Sequence, residues 1–141
     1  MTFEPLTKYL IQIQGDDIGT WIIDNKNDGT LEHPIQMPFV NYSVMVHHFI
    51  DDVYDFIEKH KDLELNHYGE ILNENGIDWG SQSMSDADVS VLDAKCILAL
   101  IVGAVRAERF CDGALLKFFK DGSIGKWLKR LKEIEAENTC K

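Results

Sequence analysis

Hydrophobic positions along this chain recur mostly at helical spacing. Leu6, Tyr9, Leu10 and Ile13 follow Pro5 at three- and four-residue steps, and Gly15 is a natural stop. Proline suits a first helical turn because its missing N–H would have no partner there anyway. From about residue 41 to 60, Val46, Phe49, Ile50, Val53, Tyr54 and Ile57 form one apolar face of a second helix. A shorter helix is predicted over 64–75, with Leu65, Tyr68, Ile71 and Leu72 inward and Gly76 as its stop. Residues 77–88 read as a loop, with Trp79 as its anchor.

The pattern then changes character. Cys96 to Val105 is an uninterrupted run without charge, so the helix that carries it is predicted to be enclosed by others. Ser90 is placed as its N-cap, with Asp93 three residues on to complement the exposed amides, and the helix is predicted over about 90–111. Asp112-Gly113 breaks it. A short helix over 114–120 buries Leu115, Leu116 and Phe119. Ser123 is then placed as the cap of a last helix, in which Ile124, Trp127, Leu128, Leu131 and Ile134 share a face. Between 15 and 40 the periodicity fails. Glycines, asparagines and two prolines punctuate that stretch, leaving Thr20-Trp21-Ile22-Ile23 as a strand candidate and room for a short β-ribbon. The prediction is a mainly α, single-domain bundle of five or six helices over 1–137, around a buried central helix, with 138–141 as a frayed tail.

Composition supports this picture. With 45% hydrophobic and 27% charged residues, the chain has enough apolar content for one core and is not of disordered type. The apolar run is about half of the ~20 residues that a membrane span needs, and the N-terminus has no secretory pattern. The three cysteines, Cys96, Cys111 and Cys140, share no C-x-x-C spacing. A reducing cytoplasmic setting is therefore expected, and membrane partners are not.

Charge adds an asymmetry. Residues 1–93 carry 18 acids against 4 bases, whereas residues 94–141 carry 6 acids against 10 bases, within an overall net charge of −10. So acidic a chain does not suit a phosphate backbone, and no nucleic-acid partner is expected. Mutual attraction of the two parts across the core is the plainer reading. An acidic surface for a basic partner is the sharper one.

Two groups of residues carry candidate chemistry. Arg106, Arg109, Cys111 and Asp112 follow the most apolar stretch, and two guanidinium forks at i, i+3 form a candidate receptor for a small anion. The competing expectation is that both arginines pair with acids of the first part and lock the last helices in place. Cys111 is expected to be a buried, inert thiol. The second group is His47, His48, Asp51 and Asp52, two i, i+4 pairs on a helix, a spacing that can furnish metal ligands. Glu64 and His67 add one E-x-x-H unit, where di-iron bundles need two. A solvated acidic face is the default for this group, and no cofactor is expected. Trp21, Trp79 and Trp127 are expected as core anchors. Phosphate-loop, dinucleotide, nucleophile-elbow and H-E-x-x-H patterns are all missing from the sequence.

The segment Val105-Arg106-Ala-Glu-Arg109-Phe110-Cys-Asp-Gly113, with Gly122-Ser-Ile124 and Leu128-x-x-Leu131 after it, resembles a family of small bacterial proteins grouped as a domain of unknown function. Gly19-Thr-Trp21 and Tyr68 fit the same family more loosely. The resemblance implies a bacterial, soluble, helical protein and supplies no activity to transfer. Function therefore stays unknown at this level, with two expectations. One is a non-enzymatic cytosolic interaction or regulatory protein with an acidic surface and a protein partner, or a homo-oligomer. The alternative is a small enzyme or anion-binding protein with a pocket lined by Arg106 and Arg109, in which His47 or His48 serves acid–base chemistry.

Overall fold

The computed structural model describes residues 2–15, 18–23, 29–32, 34 and 39–139. Most of the turns and one proline expected between 24 and 38, and Cys140 in the tail, lie outside the described residues. A mainly α domain is what the described chain forms. In order, it has α1 (Glu4–Thr7), α2 (Tyr9–Gly15), strands β1 (Gly19–Ile22) and β2 (Phe39–Tyr42), and α3 (Val44–Lys59). There follow α4 (Tyr68–Glu74), α5 (Ser81–Asp86), α6 (Ala94–Ala107), α7 (Ala114–Lys120) and α8 (Ser123–Thr139).

Helix α6 is the axis of the fold. Every residue from Cys96 to Val105 is buried, because α4, α7 and α8 pack around it. At about 1.5–3 kcal/mol for each large side chain taken out of water, this run is a major apolar contribution, matched by the Met45, Val46, Phe49, Val53, Phe56 and Ile57 side chains that α3 buries. Its N-terminus differs from expectation. Asp93, not Ser90, is the N-cap, and its carboxylate accepts the Cys96 N–H at 2.8 Å. Ser90 lies in a separate 3-10 turn, Val89–Val91, where Asp88 takes its N–H at 3.1 Å. The helix also ends earlier, at Ala107, because the chain tightens into turns that lead to Gly113.

Other boundaries moved for similar reasons. Ser43 caps α3 by accepting the Val46 N–H, so the residues before it are free to extend as β2. The 77–88 stretch is not all loop, since α5 forms in it and buries Met84. Ser123 is the first residue of α8 rather than its cap, and the Asp121 carboxylate takes its N–H at 2.9 Å. Helix α8 continues to Thr139, two residues beyond the expected frayed end.

The β-ribbon exists. Strands β1 and β2 pair antiparallel, with Trp21 opposite Val40 and Gly19 opposite Tyr42. Alternation places Gly19, Trp21, Val40 and Tyr42 on one face. That face leans on the turns after α6, whereas Thr20, Ile22, Phe39 and Asn41 are exposed. Such a ribbon is marginal alone, so what fastens it matters.

Candidate functional site

The turns between α6 and α7 are organised by Glu108. Its carboxylate accepts N–H bonds from Gly113 at 3.0 Å and Leu115 at 3.0 Å, which are among the open donors at the start of α7. A negative charge at that helix end is favoured on two counts, hydrogen bonding and dipole. The Tyr42 hydroxyl also donates to Glu108, and its oxygen accepts the Leu116 N–H at 3.0 Å. Burial, and then the Glu108 carboxylate beside it, push the Tyr42 phenol well above its ordinary pKa. Gly113 sits at φ 89, and a Cβ there would lie 2.3 Å from the Trp21 ring. One carboxylate thus ties the ribbon, the turn and α7 together.

Around this clasp the four residues expected as an anion site diverge. Arg106 is half-buried, and its guanidinium lies beside the hydroxyls of Tyr54 on α3 and Tyr68 on α4, with Tyr54 foremost in favouring its charged form. Arg109 and Asp112 are exposed. Among the described residues neither arginine forms an ion pair. The expected lock of arginines onto acids of the first part does not occur among the described residues, which leave out Asp16, Asp17, Asp24 and Asp28. Lys59 with Asp55 and Lys61 with Glu58 are short-range helix pairs instead. Cys111 is exposed rather than buried, because the chain has already left α6 when it reaches this residue. Of the two described thiols the buried one is Cys96, pushed up to about 11 by burial and by Asp93 nearby.

An apolar cleft of about 240 Å³ opens where Cys111 stands, walled by Trp79, Met84, Ala107, Phe110 and Phe118 as well. Trp79 reaches it across Gly103. The Trp79 indole N–H donates to the Gly103 carbonyl at 3.0 Å, and a Cβ on Gly103 would come within 3.1 Å of Met84 and 3.3 Å of Trp79. Phe110 meets Trp79 edge to face at 5.6 Å, and Tyr68 also meets the indole edge to face at 5.6 Å. Phe110 remains 75% exposed and Trp79 42%. Of the three tryptophans expected as core anchors only Trp127 is buried. Trp21 and Trp79 are surface aromatics. Sequence reasoning did not find the cleft, although Gly103 inside an otherwise bulky apolar helix is the signal of a close approach.

The histidine group is dispersed. His47, His48 and Asp51 are exposed, while Asp52 is engaged by the Tyr9 hydroxyl and by Lys8 at 3.2 Å. Among the described residues no three His, Cys, Asp or Glu side chains stand together in a way that could hold a metal ion. No described helix is long and apolar enough to cross a membrane.

The fold and site define a small helical protein with a carboxylate-clasped ribbon and an aromatic cleft beside it. The chain belongs to a family of unknown function, DUF6508, whose model matches residues 3–137. No curated protein and no solved structure matches it.

Proposed function

We propose that this is a non-enzymatic cytosolic interaction protein that seats one large apolar side chain of a basic partner segment in the Trp79–Phe110 cleft. The observation that carries this reading is the exposed aromatic pair at the mouth of an apolar cleft. Isolated exposed apolar residues are ordinary, but aromatic pairs lining a concavity are typical of binding anchors. Size selects the occupant. A cleft of about 240 Å³ exceeds the roughly 150 Å³ that holds a benzene ring and falls below the roughly 300–1,000 Å³ of small-molecule sites. It suits one side chain. Charge selects its neighbours: the chain carries −10 overall, and Asp78, Asp86 and Asp112, in the segments that form the cleft, are exposed. A partner with Lys or Arg flanking its anchor is favoured in encounter and register. The exposed Cys111 and buried Cys96 are both free thiols, in keeping with a reducing compartment.

The test uses short peptides with a central Trp, Phe or Leu flanked by either Lys or Glu, titrated against the intact protein by fluorescence polarisation. Lys-flanked aromatic peptides are expected to bind and Glu-flanked ones to fail, with Phe110→Asp abolishing binding at unchanged helicity. Indifference to flanking charge, or to Phe110→Asp, overturns the reading. A dimer in sedimentation that Phe110→Asp dissociates would assign the face to self-association instead.

A further inference from the structure

The two aromatics of the cleft are held in different ways. Trp79 is tied to α6, its indole N–H donating to the Gly103 carbonyl at 3.0 Å, and Met84 beside it is fully buried. Phe110 and Cys111 stand on the turns between α6 and α7, where Arg109, Phe110, Cys111 and Asp112 are all exposed. Apolar burial therefore does little to fix that side of the cleft, and segments with so little of it are the ones that open locally.

Hydrogen bonds at the two ends of the turns do the fixing. At the start, the Phe110 and Cys111 N–H groups both donate to the Ala107 carbonyl at 3.0 Å. At the end, the Glu108 carboxylate accepts the Gly113 and Leu115 N–H groups, so one side chain closes residues 108–113 into a loop. The Tyr42 hydroxyl holds that carboxylate from the ribbon, and the Trp21 ring lies over Gly113.

We propose that Glu108 and Tyr42 are positioning residues of the cleft: by closing the turns onto the ribbon they keep Phe110 against Trp79, and so set how tightly an apolar anchor is seated. This rests on the reading of the cleft as a binding site, and it gives the ribbon a part in binding although no ribbon residue lines the cleft. The physical reason is conformational entropy. Loose turns sample many positions of Phe110, and an occupant has to order them as it binds. Closed turns were ordered when the chain folded, so an occupant meets a preformed site.

The test repeats the titration with the Lys-flanked Trp peptide on Glu108→Ala, Glu108→Gln and Tyr42→Phe. Asp93→Ala is the control, a cap variant at the other end of α6 whose stability loss is close to that of Tyr42→Phe. Glu108→Ala is expected to weaken binding about fivefold or more and Tyr42→Phe about threefold. Glu108→Gln keeps an acceptor oxygen and recovers most of the loss, and Asp93→Ala leaves the affinity unchanged. Nuclear Overhauser contacts between the Phe110 and Trp79 rings give a readout that needs no peptide. They are expected in the natural chain and in Asp93→Ala, and are lost or weakened in Glu108→Ala or, where that variant fails to fold, in Tyr42→Phe. A natural chain that binds no peptide, but whose clasp variants lose the ring contacts, overturns the reading of the cleft and supports the positioning. Ring contacts retained in every folded clasp variant overturn the positioning. Where the natural chain binds, so does an affinity that the clasp variants leave unchanged, or that Asp93→Ala lowers as much as Tyr42→Phe.

Discussion

Tyr42 and Glu108 are joined by a hydroxyl-to-carboxylate hydrogen bond that fastens the β-ribbon to the start of α7. The same carboxylate accepts the Gly113 and Leu115 N–H groups, and the same hydroxyl accepts from Leu116. Removing the carboxylate leaves those donors and the phenol without their acceptor in a half-buried place. Glu108→Ala is therefore expected to destabilise the protein by about 2–4 kcal/mol, from charge-assisted bonds worth about 1.5–3 kcal/mol and lost caps of about 1. Tyr42→Phe, which leaves the carboxylate its two N–H donors, should cost about 1 kcal/mol. Urea unfolding of the two variants checks the order. Equal losses would mean that Glu108 does not cap α7.

Gly113 and Trp21 form the second fastening. Alanine at 113 meets two separate obstacles, a left-handed backbone at φ 89 and the Trp21 ring 2.3 Å from its Cβ. The backbone part is worth about 1–2 kcal/mol. The ring part should add to it only while Trp21 is present. A double-mutant cycle is the measurement: Gly113→Ala is expected to cost clearly more in the natural chain than in a Trp21→Ala background. Additive costs would show that Trp21 does not rest on the turn.

Asp93 and Ser90 decide how α6 begins. Asp93→Ala removes the acceptor of the Cys96 N–H and is expected to cost about 1 kcal/mol, while Ser90→Ala, outside the helix, should change stability by less than about 0.5. Thermal unfolding separates them. A larger loss from Ser90→Ala would return the cap to that residue.

These three contrasts also mark what a sequence of this kind makes legible. Helix α7 could be read to the residue, because Asp112-Gly113 and Asp121-Gly122 bracket a short apolar group and both glycines adopt the positive φ their position demands. The start of α6 was ambiguous because Asp88, Ser90 and Asp93 are all competent caps. The 3-10 turn took Ser90, and local spacing alone does not reveal such a turn. Arg106 stood out as a charged residue next to the core. Its neighbours Tyr54 and Tyr68 did not, since periodicity placed them on inward faces with no indication of which side chain they would meet. The cleft was invisible for the same reason, as it needs α5, which the 77–88 stretch concealed, to bring Met84 and Trp79 onto Gly103. Pattern reports which face is apolar. It does not report which faces meet.

Cys96 supplies the test of the core by pH. Its ordinary thiol value of 9.0 is pushed up to about 11 because burial in α6 disfavours the thiolate, with Asp93 adding to the effect. Between those two values the unfolded chain has released the proton while the folded chain still holds it, so the folded state binds more protons and stability falls as pH rises. Cys96 thus contributes fully below pH 9, and the contribution is lost between about pH 9 and 11. The phenols of Tyr9 and Tyr42 are also raised, burial being the first cause in both, and they add losses of the same sign at higher pH. The quantity to measure is therefore the difference between the natural chain and Cys96→Ala in urea unfolding at pH 8, 9, 10 and 11. The Cys96→Ala protein is expected to be less stable at pH 8, from the small cavity it leaves, and to close that gap progressively by pH 11. Parallel curves would show that Cys96 titrates alike in the folded and unfolded chains.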